Sequence, residues 1–294
     1  MQACMLCPRK CGADRDVGVG FCGVGGDIRV AKIMLHKWEE PCICHGAGAG
    51  AIFFSGCNLH CLYCQNCKIS GGECGEIFTE DDLVREIISL SEQGASCIDL
   101  VTPTHFTGKL AFVLERVKPS INIPIVWNSS GYEEVSTLKS LDGLVDIYMP
   151  DLKYYSSEIS KKYSHAEDYF SVALGAIKEM LEQVGKPKFE GDGKLLSGVI
   201  VRHLVLPECR RDSITLLDGL NSILPSPDNV VLSLMSQYTP DFYLASHPDG
   251  KHKNLARRLT SFEYNSVLRH AQTLGFEGYF QNPSSASADY TPRF

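Results

Sequence analysis

The stretch Cys57-Asn-Leu-His-Cys61-Leu-Tyr-Cys64-Gln-Asn66, here called the cysteine loop, follows the apolar run Ala51-Ile-Phe-Phe54 and the turn pair Ser55-Gly56. The apolar run predicts a β-strand that leads directly into the loop. The three cysteines have the spacing C-x3-C-x2-C. Thiolates are the preferred ligands of iron–sulfur clusters, and a cube of four irons takes four of them. Three thiolates therefore leave one iron free for a small molecule, as a catalytic zinc keeps an open position.

The three cysteines allow two other interpretations. Three close thiolates are also half of a zinc site. With Cys67, the loop contains a C-x2-C-x2-C run like that of a ferredoxin, which would place a further cysteine three residues on, followed by proline. The next cysteine is Cys74, followed by Gly75, so that pattern fails and we predict that Cys67 is not a ligand.

The cysteine loop resembles the cluster loop of the radical S-adenosylmethionine (SAM) superfamily. The aromatic Tyr63 before the third cysteine fits that pattern, in which this position lies against the adenine of SAM. The resemblance implies that Cys57, Cys61 and Cys64 hold a [4Fe–4S] cluster and that SAM chelates the open iron through its amino and carboxylate groups. An electron from the cluster would then break a C–S bond to give methionine and a 5′-deoxyadenosyl radical.

A second group of cysteines lies at the N-terminus. Cys4, Cys7, Cys11 and Cys22 have the spacing C-x2-C-x3-C-x10-C, with a glycine after each of the last two. Four thiolates with little apolar material between them would hardly fold without a metal. We therefore predict that residues 1–26 form a small metal-binding segment, which holds either a structural zinc or a second iron–sulfur cluster; four free thiols in a frayed terminus are the alternative.

Composition limits the remaining possibilities. The 294 residues are 44% hydrophobic and 21% charged, values typical of a globular protein with a barrel-sized domain. The net charge of −7 and the lack of a basic run argue against nucleic acid as a partner, and no apolar stretch predicts a membrane span or secretory signal. Eleven of the thirteen cysteines lie before residue 75, which favours metal ligation in a reducing cytoplasm over disulfides.

From residue 51, strand-like and helix-like segments alternate. The predicted strands are Ala51–Phe54, Ser96–Val101, Ile123–Trp127, Val145–Met149, Gly198–Val205 and Val230–Met235, after a first strand over residues 27–36. The predicted helices begin at Thr79, which forms a capping box with Asp82, and cover residues 106–118, 132–141, 164–185, 210–224 and 261–274. This pattern predicts an α/β fold with a parallel sheet. The resemblance implies a partial (β/α)6 radical SAM barrel over residues 27–281, followed by a tail over 282–294; an open doubly wound sheet is the alternative.

Polar residues at the carboxyl ends of parallel strands are candidate ligand contacts. After the second strand the superfamily often has Gly-Gly-Glu, which contacts the SAM amino group, whereas this chain has Thr102-Pro-Thr104-His105. We predict that Thr104 or His105 takes that place, with capping of the next helix as the alternative for Thr104. Asn128 and Ser130 after the third strand suit a ribose or a carboxylate, with helix capping again the alternative.

The fourth strand ends in Asp151-Leu-Lys153, whose two charged side chains point to one face because strand side chains alternate. This element resembles one in the activating enzymes of glycyl-radical enzymes, such as pyruvate formate-lyase activating enzyme; a simple ion pair is the alternative. Arg202 in the fifth strand needs an anionic partner because burial of an unpaired guanidinium is costly. The resemblance implies that Arg202 contacts SAM, and His203, on the opposite face, is predicted to be structural.

These features predict a radical SAM enzyme of a branch resembling pyruvate formate-lyase activating enzyme. Tyr63, Asn128, Asp151, Lys153 and Arg202 are the predicted SAM-holding residues. The family-level expectation is hydrogen abstraction from a glycine of a glycyl-radical enzyme, with a flavodoxin or ferredoxin as electron donor. The alternatives are a radical SAM enzyme acting on a small molecule or peptide, and a non-catalytic electron-transfer or zinc protein.

Overall fold

The computed structural model describes residues 3–282 and 292. Its central element is a ten-stranded sheet. The strands are β1 (Ile28–His36), β2 (Ala49–Phe54), β3 (Glu76–Phe78), β4 (Ile98–Val101), β5 (Ile125–Ser129), β6 (Ile147–Pro150), β7 (Lys188–Phe189), β8 (Leu195–Leu204), β9 (Val231–Met235) and β10 (Gly278–Phe280). The helices are α1 (Cys67–Ser70), α2 (Glu80–Glu92), α3 (Thr107–Val117), α4 (Val135–Leu138), α5 (Ser157–Ser164), α6 (Tyr169–Val184), α7 (Arg210–Ile223), α8 (Asp241–Ser246) and α9 (Ser261–Thr273). Short 3-10 helices span Thr104–Phe106, Lys118–Ser120, Lys139–Leu141, Pro227–Asn229 and Lys253–Ala256.

The strand order is β10-β9-β8-β6-β5-β4-β2-β1-β3, with β7 paired to β8. The strands from β2 to β10 along this path are parallel, and β1 pairs with both β2 and β3 in the antiparallel sense. Every residue of β2, β4, β5, β6 and β9 is buried, as expected where parallel strands are covered on both faces. The predicted α/β class with a mostly parallel sheet is confirmed.

The open, mostly parallel strand order is compatible with the predicted partial barrel. On its inner face, side chains of five parallel strands share one buried cluster, which includes Cys97, Val126 and Ile200. The connection from β1 to β2 crosses this inner face, because Ser233 on β9 donates a 2.8 Å hydrogen bond to the Glu40 carboxylate. This crossing places the Glu40 carboxylate against the middle of β9.

Most predicted elements are present, with two differences in the helices. The capping box at Thr79 and Asp82 forms as predicted. The helix predicted over 132–141 is only α4 and a 3-10 turn, and the one predicted over 164–185 begins at Tyr169. His165, at φ +55°, ends the preceding helix α5 in a left-handed conformation and so breaks the continuous pattern.

The boundaries at residues 26 and 281 stay predictions. The predicted tail, 282–294, lies outside the described residues apart from Asn282 and Pro292. Over the residues that are described, no helix is both long enough and apolar enough to span a membrane.

Candidate functional site

A cavity of about 210 Å³ opens at the carboxyl ends of the parallel strands. Most of the residues predicted to hold a cluster or SAM line it. These are Cys57, Cys61, Tyr63, Cys64, Asn128, Ser130, Asp151, Lys153 and Arg202. Residues more than 140 positions apart in sequence therefore meet at one place, since the carboxyl ends of parallel strands share one edge of the sheet.

Local hydrogen bonds hold the cysteine loop in place. The Asn58 amide donates to the Tyr132 carbonyl at 2.7 Å, and the Cys64 N–H donates to the Cys61 carbonyl at 3.1 Å. Two further donors point at sulfur: the Leu59 N–H lies 3.4 Å from Cys57 Sγ, and the Ser164 hydroxyl lies 2.9 Å from Cys61 Sγ. Donors directed at sulfur stabilise the thiolate, the form that binds metal.

The electrostatics of the three thiols suit a cationic cluster. Burial raises the pKa of Cys64, and the neighbouring Cys61 and Cys57 raise it further. The pKa of Cys61 is also raised, first by burial, with Cys57 adding to the effect. Three thiolates this close repel one another unless iron compensates their charge. The donor set and its spacing fit a [4Fe–4S] cluster with three protein ligands.

Tyr63 belongs to a buried hydrogen-bonded chain that leads back to the loop. Its hydroxyl lies 2.6 Å from that of Tyr154, which lies 2.6 Å from the Ser164 hydroxyl, the donor to Cys61 Sγ. The edge of a third ring, that of Tyr238, also faces Tyr63. These contacts fix the Tyr63 ring at the cavity wall.

Asp151 and Lys153 form the ion pair that was the alternative interpretation, and they also line the cavity. Lys153 Nζ lies 2.5 Å from Asp151 Oδ2. Burial alone would lower the pKa of Lys153, but Asp151 and the Cys61 thiolate raise it above its usual value. Lys153 therefore places a positive charge between Asp151 and the cysteine loop.

Arg202 meets the anionic partners that its burial requires. Its Nη1 lies 3.5 Å from Glu39 Oε2 and its Nε lies 3.2 Å from Glu40 Oε1. The Glu39 carboxyl is also a hydrogen-bonding neighbour of Asp99, which is fully buried on β4. Burial raises the pKa of Glu39 to about 7, although Arg202 opposes this shift, and it raises the pKa of Asp99 well above its usual range. Both carboxyls therefore favour the protonated form more strongly than exposed carboxyls do.

Thr104 and His105, one of which is predicted to contact SAM, are both buried. Neither is among the described residues that line the cavity, where Thr102 stands instead. The Thr104 hydroxyl donates to Glu133 Oε1 at 2.8 Å, and His105 Nε2 lies 2.7 Å from the Ser55 carbonyl. A 3-10 turn that begins at Thr104 rotates both side chains into the core. Burial lowers the pKa of His105 to about 3, so it is neutral at physiological pH.

The capping alternatives are not realised. Helix α3 has no side-chain cap at Phe106, and α4 has none at Glu134. Asn128 Nδ2 instead donates to Asp99 Oδ2 at 3.3 Å, and the Ser130 hydroxyl donates to Asn58 Oδ1 at 3.0 Å. His203 lies on the face opposite Arg202, with Nδ1 2.6 Å from the Leu152 carbonyl, as expected of a structural residue.

The four N-terminal cysteines come together beside the cysteine loop. The sulfurs of Cys11 and Cys22 flank Gly20, lying 3.3 and 3.4 Å from where its Cβ would stand. Cys4 hydrogen-bonds Cys11, and Cys7 and Cys22 interact electrostatically. Across residues 3–282 and 292, no three His, Cys, Asp or Glu side chains converge tightly enough to ligate a single metal ion. Cysteines that hold a cluster bind separate irons and so need not converge on one point.

Sequence reasoning missed the role of several residues that shape this site. Glu40, Asp99 and Ser164 hold cavity residues through buried hydrogen bonds or ion pairs. For Asp99 a signal existed, because a carboxylate inside the apolar strand Ile98-Asp99-Leu100-Val101 requires a partner. For Ser164, the sequence contains no feature that indicates a contact with the cysteine loop.

Comparisons of the sequence and of the structure identify known proteins that this chain resembles. Residues 51–188 match the sequence model of the radical SAM superfamily. The chain is 28% identical over 283 residues to MJ0674, an uncharacterized protein of Methanocaldococcus jannaschii; the match covers 92% of this chain and 74% of that protein. A variant of spore photoproduct lyase superposes with a TM-score of 0.50 at 11% identity, covering 76% of this chain and 73% of the lyase. Methylornithine synthase superposes with a TM-score of 0.46 at 16% identity, and the match covers 76% of this chain but only 63% of the synthase.

Proposed function

Because residues 51–188 match the sequence model of the radical SAM superfamily, we propose that the chain is a radical SAM enzyme whose Cys57, Cys61 and Cys64 hold a [4Fe–4S] cluster. The observation that carries the proposal is that these three thiols line one cavity at the carboxyl ends of the parallel strands. When bound there, the reduced cluster and SAM supply a 5′-deoxyadenosyl radical together with methionine.

The residues of the chain would bind SAM and exclude water from it. The Asp151–Lys153 pair offers an anion and a cation beside the cysteine loop, a pairing that suits the amino and carboxylate groups of SAM. Asn128 and Ser130 add neutral polar groups on the next strand, and the Tyr63 ring provides an apolar wall for the adenine. Arg202 forms ion pairs with Glu39 and Glu40, and it stays a predicted SAM contact.

We propose a peptide glycine of a partner enzyme as the hydrogen donor, in line with the resemblance of Asp151-Leu-Lys153 to glycyl-radical activating enzymes. One observation supports a peptide over a sealed small-molecule site. The cavity shares Trp38, Glu39 and Gln237 with a second depression, which is lined mainly by the connection from β1 to β2. Trp38 is 60% exposed there, and an extended peptide would reach the cavity along this path.

The proposal includes a metal centre at the N-terminal cysteines, a flavodoxin or ferredoxin as electron donor, and a cytoplasmic location. A low-potential electron is required for the reductive cleavage of SAM, and those two protein classes are the proposed source. A reducing compartment keeps the thirteen cysteines in the thiol form that metal binding needs.

The test is anaerobic reconstitution with iron and sulfide, followed by SAM, dithionite and an assay for 5′-deoxyadenosine. We expect product from the wild type and from Cys67→Ala, and none from Cys64→Ala. No product from a wild type with an intact cluster would overturn the proposal in favour of a cluster with four cysteine ligands.

A further inference from the structure

The N-terminal segment and the cysteine loop are in direct backbone contact. The Cys57 N–H donates a 3.1 Å hydrogen bond to the Cys22 carbonyl, so one ligand of the predicted cluster is bonded to one of the N-terminal cysteines. On the other side of the loop, His60 Nε2 lies 2.8 Å from the Phe21 carbonyl. The two cysteine groups are thus separated by a single peptide-to-peptide hydrogen bond at their closest point.

Glycines make this close approach possible. A Cβ on Gly56 would lie 2.6 Å from the Cys22 carbonyl oxygen, and one on Gly23 would lie 2.2 Å from the Gly71 carbonyl oxygen. One on Gly72 would lie 2.3 Å from the Gly23 carbonyl oxygen. All three glycines have a positive φ, between +83° and +89°, a conformation that other residues rarely adopt. The sequence therefore holds the two segments backbone to backbone.

Arg9 joins the same two groups through side-chain contacts. Its Nε donates to the Asn58 carbonyl at 2.7 Å, and its Nη2 donates to the Ser164 carbonyl at 2.8 Å. The guanidinium also stacks over the Phe21 ring at 4.2 Å. Since the Ser164 hydroxyl donates to Cys61 Sγ, Arg9 connects the Cys7-Pro-Arg turn to a second ligand of the predicted cluster.

The N-terminal cysteines also run from solvent to the protein interior. Cys11 is exposed, whereas Cys7 and Cys22 are buried, at 8% and 7% exposure. Cys22 is the member that contacts the cysteine loop. A metal centre held by all four would therefore have one side open to a partner and the other against the loop.

We propose that Cys4, Cys7, Cys11 and Cys22 hold a redox-active iron–sulfur cluster that passes electrons to the centre on the cysteine loop. This inference rests on the proposed function. Each transfer moves one electron from a low-potential one-electron donor, through the N-terminal cluster, to the loop cluster, where one electron is used for each SAM cleaved. Zinc has no accessible redox change, so a zinc ion would leave the Cys22–Cys57 contact without a chemical role.

The test uses metal counting and electron paramagnetic resonance on the full chain, reconstituted with iron and sulfide in the presence of zinc. Two fully formed clusters give about eight irons per chain. We expect Cys11→Ser to lose about half of the iron, and Cys74→Ser, which replaces another exposed cysteine, to lose none. The variant with Cys57, Cys61 and Cys64 all replaced by alanine should retain about four irons that dithionite reduces to a paramagnetic state.

In the reduced wild type, we expect magnetic coupling between the two centres to broaden the spectrum, and in the triple variant we expect it to be absent. About one zinc and about four irons per wild-type chain would overturn the inference, as would two clusters without coupling. If Cys11→Ser does not fold, the triple variant decides the metal identity alone. Failure of the proposed function is distinguishable, because both clusters would then form without any 5′-deoxyadenosine.

Discussion

Replacement of Gly56 by alanine tests the contact between the cysteine loop and the N-terminal segment. Gly56 has φ +88°, and an added Cβ would stand 2.6 Å from the Cys22 carbonyl oxygen and 3.1 Å from a Val24 methyl group. The left-handed backbone alone costs an L-residue about 1–2 kcal/mol. The clash involves backbone that cannot rotate away, and overpacking of this kind costs about 1–3 kcal/mol more. We therefore expect a total destabilisation of about 2–5 kcal/mol.

A second glycine separates these two contributions. Gly143 has φ +74°, with no atom within 4 Å of its added Cβ, so Gly143→Ala should cost only the backbone term. Thermal unfolding of the two reconstituted variants, scanned at one rate, should show Gly56→Ala melting lower than Gly143→Ala by several degrees, since 1 kcal/mol corresponds to about 2–4 °C in a domain of this size. Equal melting temperatures would refute the close approach of residues 22 and 56.

Three further predictions follow from other contacts of the site. Burial raises the pKa of Glu39 from 4.5 to about 7, so the folded chain holds a proton that the unfolded chain releases. The free energy of unfolding should therefore fall by about 3 kcal/mol as the pH rises from 4.5 to about 7. Urea unfolding of Glu39→Gln over the same pH range should show a smaller fall. Ser164→Ala removes the donor to Cys61 Sγ and should lower the reduction potential of the loop cluster in a redox titration, whereas Ser160→Ala in the same helix should not. Arg9→Met removes charged donors to backbone carbonyls and should reduce the iron held by the N-terminal segment, whereas Lys10→Met, which removes an exposed ion pair, should leave the iron content unchanged.

The cysteine loop and the parallel strands could be predicted because their signals are local. The spacing of Cys57, Cys61 and Cys64 identifies the chemistry, and buried parallel strands give continuous apolar runs that need no knowledge of distant residues. The polar ends of those strands, such as Asp151-Leu-Lys153, then fall at the cavity by topology. By contrast, α1, α4 and α8 have only four to six residues each, too few for a helical period to show.

The rest of the site depends on contacts between distant parts of the chain. The sequence predicts that Arg202 needs an anionic partner, because it lies in an apolar strand. It does not identify the partners, because Glu39 and Glu40 lie in a connection more than 160 residues earlier. The position of Thr104 and His105 outside the cavity lining has a local cause, because the 3-10 turn after Pro103 changes the direction of both side chains. Strand alternation does not extend through such a turn.

The binding of SAM to an iron that no cysteine holds is the central claim, and electron–nuclear double resonance tests it most directly. The measurement would use the reduced protein, mixed with SAM that carries a magnetic nitrogen isotope in its amino group. We expect a hyperfine coupling between that nitrogen and the cluster in the wild type and in Cys67→Ala. An unperturbed cluster spectrum on addition of SAM, together with loss of one iron in Cys67→Ala, would contradict the claim and assign Cys67 as the fourth ligand.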